Sequence, residues 1–225
     1  MRARCFAAIP SIYIADGHHR SASSALLGVT RRKQIKNYTG EEAFNFYLGV
    51  FFAESQLKIY DYNRIVKDLN GITVSDLLER LKLKFKVEEK GETVFKPTRK
   101  HEISMYVEGK WYNLISKEGT YNSSDPVGSL DASILTGHIL SPILDIHDLK
   151  TDKRIAFVPG IKGAGALKQA VDDGKAAVAF GLYPVTMEHL KWIADTNNIM
   201  PPKSTWVEPK MRSGLVIYSF EEDNQ

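Results

Sequence analysis

Cysteine is almost absent from this chain: Cys5 is the one cysteine among 225 residues. A single thiol excludes an internal disulfide and any metal site built on spaced cysteines. Chains without disulfides are typical of reducing compartments, so we expect a cytoplasmic protein. Long hydrophobic runs are absent as well, because Pro10 interrupts the apolar stretch near the start and no run approaches the ~20 residues of a membrane helix. The sequence therefore indicates no membrane partner.

A strong excess of charge is lacking too. The 30 basic residues outnumber the 27 acidic ones by only three, and they are scattered along the chain. Binding to the backbone of duplex nucleic acid usually needs a dense basic patch, so the sequence does not predict a duplex partner. With 43% hydrophobic and 25% charged residues, the composition is that of a folded globular protein.

Strand-like and helix-like segments alternate, which predicts an α+β fold: a mixed, mostly antiparallel twisted sheet with short flanking helices. Strands are expected within residues 11–15, 44–53, 56–66, 154–160 and 176–184, and a hairpin within 100–116 that turns at Gly109. Helices are expected within 21–38, 76–85, 130–144, 166–174 and 187–198, with Ser21, Ser75 and Thr186 as N-caps.

The stretch "SKEGTYNSSDPVGS", residues 116–129, has the highest density of turn residues. It suggests two lobes, 1–118 and 126–225. An edge strand over residues 12–15 would offer unpaired backbone groups to a second copy, so a homodimer is a further expectation.

The segment "YIADGHHRS", residues 13–21, concentrates groups that handle anions. Gly17 allows close backbone approach, Arg20 offers a planar fork that matches phosphate, and His18 and His19 can donate hydrogen bonds or move a proton. Placed before a helix, the segment would lie at the helix end where anions bind. Adjacent histidines point in different directions, so we expect no metal site here. The alternative is a helix cap in which Asp16 pairs with Arg20.

A second basic stretch is "MPPKSTWVEPKMRSG", residues 200–214. Its prolines stiffen the backbone around candidate anion ligands, namely Lys203, Ser204, Thr205, Lys210 and Arg212. The alternative is a proline-braced turn whose lysines are simply solvated.

A third cluster, "YDYNRIVKDLNG" from Tyr60, follows a predicted strand. Arg64 and Lys67 could reach a phosphate, and Asp61 or Asp68 could act as a base or hold Mg²⁺ through water. An ion-pair network at a strand end is the alternative interpretation.

Five stretches together, "YIADGHHR", "YDYNRIVKDLNG", "SLDASIL", "GLYPVTMEHLKWIAD" and "MPPKSTWVEPKMRSGL", resemble in this order the bacterial and archaeal family known as domain of unknown function 1015. The resemblance covers nearly the whole chain. Members of that family are usually about twice as long, which implies that this chain corresponds to the C-terminal half of a member or to a shortened member. In the family an aromatic residue commonly follows the arginine, whereas Ser21 follows Arg20 here.

More distantly, "DGHHR" resembles the signature of the ParB and sulfiredoxin superfamily, whose free-serine kinases use ADP or ATP to phosphorylate a small hydroxyl substrate. That resemblance implies that Asp16, His18, His19 and Arg20 bind nucleotide phosphates, with Mg²⁺ as a companion ion, and that Asp16 or an imidazole assists proton transfer. The kinases carry a catalytic glutamate well upstream of this motif, and fifteen residues precede Asp16 here. The sulfiredoxin reaction is excluded because the motif contains no cysteine.

Three hypotheses of function follow. The first is a nucleotide-dependent phosphotransferase that acts on a small hydroxylated metabolite. The second is a binding module that holds a nucleotide or phosphorylated metabolite and acts through a protein partner. The third is a structural protein in which "DGHHR" only caps a helix.

Overall fold

The chain forms two compact units in a computed structural model that describes residues 6–212 and 214–220; Cys5 lies outside these ranges. The first unit combines the described residues up to Lys58 with those from Pro209 onward, and the second is Ile59–Glu208. The predicted lobes, 1–118 and 126–225, divide the chain differently. Residues 116–129 lie inside the second unit, because strands from both sides of this stretch belong to one sheet.

Helices and strands alternate along the chain. The α-helices whose two ends are described are α1 (His18–Gln34), α2 (Val74–Lys82), α3 (Asp131–Leu135), α4 (Gly165–Asp172) and α5 (Met187–Asp195). The strands are β1 (Lys58–Tyr60), β2 (Tyr62–Val66), β3 (Phe85–Gly91), β4 (Glu102–Val107), β5 (Lys110–Ser116), β6 (Ile155–Pro159), β7 (Val178–Leu182) and β8 (Trp206–Glu208). A π-helical segment, Thr136–Leu140, continues α3, and 3-10 turns cover Ala43–Asn45, Glu54–Gln56 and Gly160–Lys162.

Six strands of the second unit form one sheet in the order β3-β5-β4-β7-β2-β6, and β1 and β8 form a separate two-stranded sheet. Every neighbouring pair in the six-stranded sheet is antiparallel. The hairpin β4–β5 turns at Glu108 and Gly109, whose φ angles of 45° and 80° are both left-handed, as a two-residue type I′ turn requires. The predicted α+β class, the antiparallel sheet and this hairpin are confirmed.

The six-stranded sheet is covered on both faces. Met105 and Phe180 belong to the larger hydrophobic cluster, together with Leu77 and Leu81 of α2 and the apolar residues of α3. Tyr106 points the opposite way and packs in a second cluster with residues around α4. Because successive residues of a strand face opposite sides, the continuous burial of β4 and of β7 fits a sheet covered on both faces.

The first unit contains α1 and stretches without regular structure. Gly28 is buried where α1 meets the turn Ala43–Asn45: a Cβ at this glycine would lie 3.0 Å from the carbonyl oxygen of Phe44. Many large apolar side chains of this unit are exposed, including Tyr47 and Phe51. None of the described helices combines the length and apolarity needed to cross a bilayer.

Two predicted strands of the first unit were wrong. Residues 11–15 and 46–53 have no strand pairing, although their β-branched and aromatic residues favour strands locally. A strand requires a partner for its backbone hydrogen bonds, and local composition does not supply one. The edge strand on which the expected homodimer was based is therefore not formed.

Two of the three predicted N-caps were also wrong. Helix α1 begins at His18 rather than after Ser21, because Gly17 adopts the left-handed conformation that serves as the cap. Helix α2 is capped by Thr73 instead of Ser75, since Thr73 and Asp76 form a reciprocal capping box. The predicted cap at Thr186 is confirmed: its hydroxyl accepts a hydrogen bond from His189 N at the start of α5.

Candidate functional site

The "DGHHR" segment forms the N-terminal end of α1. Gly17 has φ 83° and ψ 27°, a conformation that side chains with a Cβ rarely adopt. Asp16 Oδ1 accepts a hydrogen bond from Gly17 N at 2.8 Å, so the aspartate fixes the turn into the helix. The segment was predicted to lie between a strand and a helix; Asp16 and Gly17 precede the helix, residues 18–20 form its first turn, and the chain before it is irregular.

The helix end is open and electropositive. The first backbone N–H groups of an α-helix have no partner within the helix and carry the positive end of its dipole. Helix α1 is 17 residues long, has no acidic residue in its first turn, and receives no side-chain cap. His18 and His19 lie exposed in that turn. This end of the helix therefore suits an anion.

Arg20 folds back over the same helix end. A Cβ built on Gly17 would lie 3.0 Å from Arg20 Nη2 and 3.1 Å from Arg20 Nε. The missing side chain of Gly17 thus makes room for the guanidinium group, which adds a full positive charge to the partial charge of the helix terminus.

Lys210 joins this cluster from the far end of the sequence. Its Nζ donates to Asp16 Oδ2 at 3.0 Å, and both side chains remain substantially exposed, at 38% and 54%. Partial burial would raise the pKa of Asp16, but the hydrogen bonds from Lys210 and Gly17 and the charges of Lys210 and Arg20 outweigh it. The net effect lowers the pKa, so the carboxyl stays ionised. Arg212, two positions further on, is exposed in the same unit.

The other predicted ligands belong to the second unit. Lys203 is exposed, has a left-handed φ of 56°, and places Nζ 5.5 Å from the centre of the Tyr62 ring. Ser204 is buried and donates its hydroxyl to Pro201 O at 2.7 Å. Thr205 is half-buried. These residues lie in a turn that follows Pro201 and Pro202, with Lys203 exposed.

Arg64 lies fully buried in β2. Its guanidinium donates to the carbonyl oxygens of Tyr62 and Lys203, and Nε has no hydrogen-bond partner among the described residues. Burial lowers the pKa of Arg64 to about 10, and the group packs 5.5 Å from the centre of the Phe157 ring. In this conformation Arg64 supports the turn at Lys203 and offers no surface to a ligand.

Sequence reasoning missed a groove in the second unit that contains a buried carboxyl group. The groove is lined at its polar end by Lys100, Ser129, Asp131 and His189. Asp131 is 8% exposed and His189 is 6% exposed. The one available signal was an aspartate between the apolar residues Leu130 and Ala132 of the stretch "SLDASIL", residues 129–135. The histidine carries no signal that separates it from other polar residues.

No group of three or more candidate metal ligands of the His, Cys, Asp and Glu types occurs within the described ranges.

Comparisons with known proteins bear on the family. No curated protein matches the chain. A conserved hypothetical protein from Pyrococcus furiosus superposes with a TM-score of 0.47 at 19% identity, covering 88% of this chain and 72% of that one. The free serine kinase in complex with AMP superposes with a TM-score of 0.45 at 16% identity, covering 86% of this chain and 66% of the kinase. A mutant of that kinase in complex with ADP gives a TM-score of 0.44 at 17% identity with the same coverage.

This chain thus spans about two thirds of the length of the free serine kinase. The family described as protein of unknown function (DUF1015) matches residues 3–133, which is more than half of the 225 residues. The resemblance inferred from the motifs is confirmed, and the chain belongs to the DUF1015 family.

Proposed function

We propose that the N-terminal end of α1 binds the phosphate groups of a nucleotide such as ADP or ATP. The observation that carries this proposal is the ion pair between Lys210 and Asp16, 194 positions apart, at the open end of the helix. It brings a second cation to the place where Arg20 and unpaired backbone N–H groups already gather. Convergence of cations on a helix N-terminus is the arrangement expected of a phosphate site.

Each residue of the segment has a distinct role in this proposal. Gly17 permits close approach of the phosphate to the backbone, and Arg20 and Lys210 neutralise its charge. Asp16 holds Lys210 and the Gly17 turn in place, because an ionised carboxylate repels phosphate and serves better as a support. The exposed imidazoles of His18 and His19 are free to donate to phosphate oxygens.

One further cation extends the proposal. Arg212 is exposed in the first unit, two positions after Lys210, and is a candidate for an additional phosphate contact. In the second unit, Arg64 and Ser204 shape the turn at Lys203 through their hydrogen bonds to Lys203 O and Pro201 O. Where the nucleotide carries Mg²⁺, Asp16 is the carboxylate of the segment able to accept a hydrogen bond from one of its waters.

Phosphoryl transfer to a small hydroxylated metabolite is the second candidate function. The observation that favours it is the presence of one ionised carboxylate and two exposed imidazoles within four consecutive residues at the proposed phosphate site. Either group type can take the proton of an attacking hydroxyl. A module that binds nucleotide and signals through a protein partner would need the same phosphate contacts but no proton acceptor.

The first test is calorimetric titration of the full chain with ADP, ATP, CTP and inorganic phosphate, with and without Mg²⁺. Arg20→Ala removes the guanidinium at the open end of α1, and Arg31→Ala is its matched control, because Arg31 is an exposed arginine in the last turn of the same helix. We expect saturable binding by the wild type and by Arg31→Ala, and at least tenfold weaker binding by Arg20→Ala. Equal affinities for all three proteins would overturn the phosphate site.

Transfer is tested separately by ³¹P NMR of ADP or ATP mixed with serine or another hydroxylated acceptor. Appearance of a phosphomonoester supports the transferase. Nucleotide binding without any phosphomonoester supports the binding module, and absence of nucleotide binding leaves the helix cap as the role of the segment.

A further inference from the structure

The groove in the second unit is separate in its residues from the proposed phosphate site. Two adjoining depressions share Lys100, Ser129 and His189. The first continues along Asp131 and an apolar wall formed by Leu130, Ala132, Leu182, Pro184 and Val185. The second runs toward Glu188 and Trp192. A polar end beside an apolar wall is the usual construction of a small-molecule site.

Lys100 supplies the positive charge of this groove. Its Nζ lies 3.3 Å from His189 Nδ1, and His189 Nε2 lies 2.6 Å from Pro126 O. A carbonyl oxygen only accepts, so Nε2 carries the imidazole proton and Nδ1 accepts from the lysine. Burial is the main cause that lowers the pKa of His189, and the charge of Lys100 adds to it. The imidazole is therefore neutral at pH 7 and leaves the charge on Lys100.

His101 is a second neutral imidazole beside this end of the groove. Its Nε2 lies 3.2 Å from Ser129 O, and its ring stacks 3.7 Å from the ring of Tyr121. Burial lowers the pKa of His101, with further contributions from Lys100 and His189. No cation other than Lys100 lines the groove within the part of the chain that the structure describes.

Two polar side chains at the polar end are buried and poorly satisfied. Within the described residues, the carboxyl group of Asp131 has one hydrogen bond, which Oδ1 accepts from His101 N at 2.8 Å. Ser129 is 5% exposed and its hydroxyl is buried without a partner in the same described ranges. The neighbouring carboxylate of Glu102, by contrast, accepts hydrogen bonds from Thr98 and Arg99.

Burial raises the pKa of Asp131 to about 7, against the opposing effects of its bond from His101 and the charge of Lys100. Glu102 contributes to the rise through its like charge. The charged and titratable groups around Asp131 are thus one cation, one saturated carboxylate and two neutral imidazoles. In its protonated form Asp131 is a hydrogen-bond donor beside a lysine, and an anionic oxygen would match both groups.

We propose that this groove binds a small monocarboxylate with an apolar body. The ligand carboxylate pairs with Lys100 and shares a proton with Asp131, and its apolar body lies in the second depression beside Trp192. The carboxylate of Glu188 keeps the anionic group of the ligand out of the second depression, whose volume of about 320 Å³, against about 20 Å³ for the first, accommodates the apolar body. Lys100 disfavours a cationic ligand for the same electrostatic reason.

Proton uptake follows from this arrangement. An anion beside Asp131 favours the protonated carboxyl, so the ligand raises the affinity of Asp131 for its proton. Below pH 7 the proton is already present, and ligand binding is strongest. Above pH 7 each bound ligand must take up a proton, and the affinity falls by up to tenfold for each pH unit.

The test uses the full chain and benzoate as the probe, with butylammonium and inorganic phosphate as comparison ligands. Calorimetry at pH 6, 7 and 8, in buffers with different ionisation enthalpies, measures both affinity and proton uptake. Lys100→Gln is expected to weaken benzoate binding at least tenfold, whereas Lys175→Gln, an exposed lysine paired with Asp173 in the same unit, leaves it unchanged. Asp131→Asn keeps benzoate binding and removes its dependence on pH.

Absence of benzoate binding at pH 6 overturns the proposal. So does equal affinity in Lys100→Gln, or binding of butylammonium that strengthens as the pH rises. Phosphate binding at Lys100 without benzoate binding overturns the assignment to a carboxylate. Since Lys100 is exposed, its variant tests the site even where Asp131→Asn fails to fold.

Discussion

Lys210 Nζ donates to Asp16 Oδ2 at 3.0 Å, although 194 positions separate the two residues in the sequence. The contact lies within the first unit, which is assembled from both ends of the described chain. It joins residues of two motifs, 13–21 and 200–214, which the sequence analysis proposed separately as anion-binding candidates. The cation from one motif and the helix end from the other form the proposed phosphate site.

Replacing Lys210 by Gln removes one cation from that site. We expect the affinity for ADP to fall about tenfold, equivalent to about 1.4 kcal/mol. The free energy of unfolding should change by less than about 1 kcal/mol, because the Asp16 pair is exposed to solvent. Calorimetry and urea unfolding measure the two quantities. Lys175→Gln, which removes another exposed ion pair, is the control. Unchanged ADP affinity in Lys210→Gln would show that Lys210 forms an ordinary surface ion pair and does not bind the nucleotide.

Replacing Gly17 by Ala disturbs the same site through the backbone. The left-handed φ of 83° is unfavourable for alanine by about 1 kcal/mol, and the new Cβ meets the Arg20 guanidinium at 3.0 to 3.3 Å. We expect a lower melting temperature and weaker ADP binding, because Arg20 must move away from the helix end. Gly137→Ala is the control, since its Cβ has open space and φ is not positive. Similar behaviour of the two variants would argue against the special role of Gly17.

Arg64→Ala tests whether the buried guanidinium supports its turn. The substitution leaves the carbonyl oxygens of Tyr62 and Lys203 without their donor and opens a cavity in β2. We expect a loss of about 3 kcal/mol in the free energy of unfolding. Arg80→Ala, on the exposed side of α2, should change it by less than about 0.5 kcal/mol. If urea unfolding shows Arg64→Ala to be as stable as the wild type, the cost of burying the charge offsets the gain from its hydrogen bonds.

Two substitutions distinguish Thr73, the observed N-cap of α2, from Ser75, the predicted one. Thr73 Oγ1 accepts from Asp76 N at 3.1 Å and Asp76 Oδ2 accepts from Thr73 N at 3.4 Å. Thr73→Ala should therefore cost about 1 kcal/mol of stability. Ser75→Ala, in the exposed first turn, should cost no more than a few tenths. Chemical denaturation of both variants decides the matter, and the reverse order of stabilities would restore Ser75 as the cap.

Asp131 should make stability fall with rising pH. Its folded pKa of about 7 lies above the ordinary value of 3.8, so the folded chain holds this proton where the unfolded chain has released it. The contribution of this group to the unfolding free energy therefore declines as the pH rises from about 4 to about 7, and then levels off.

Asp131→Asn mimics the protonated form and removes this decline. At pH 8 we expect the variant to be more stable than the wild type by about 2 to 4 kcal/mol, and at pH 4 the two should be nearly equal. Urea unfolding across this range measures the difference, in which the other titrating groups largely cancel. Asp173→Asn, an exposed carboxyl paired with Lys175, is the control. A difference that does not vary with pH would show that burial does not raise the pKa of Asp131 in the folded chain.

Several elements could be predicted from the sequence because their signals are local. The hairpin β4–β5 needs alternation and a turn at Gly109, and α5 needs the hydroxyl of Thr186, all within a few residues. The start of a helix after "DGHHR" was predicted in the same way, although the left-handed Gly17 moved its first residue to His18. Local hydrogen bonds and conformational preferences are enough to determine such features.

The candidate sites depended on contacts that no local pattern contains. Residues 11–15 have strand-like composition but no strand partner, Arg64 is buried although it looks like a ligand, and Asp131 lies in a groove assembled from several elements. The sequence by itself determined the α+β class, and it supplied the proposal that residues 16–20 bind an anion. Only the tertiary structure decided that Lys210 meets Asp16 and that Asp131 is desolvated, because pairing and burial arise from residues far apart in the chain.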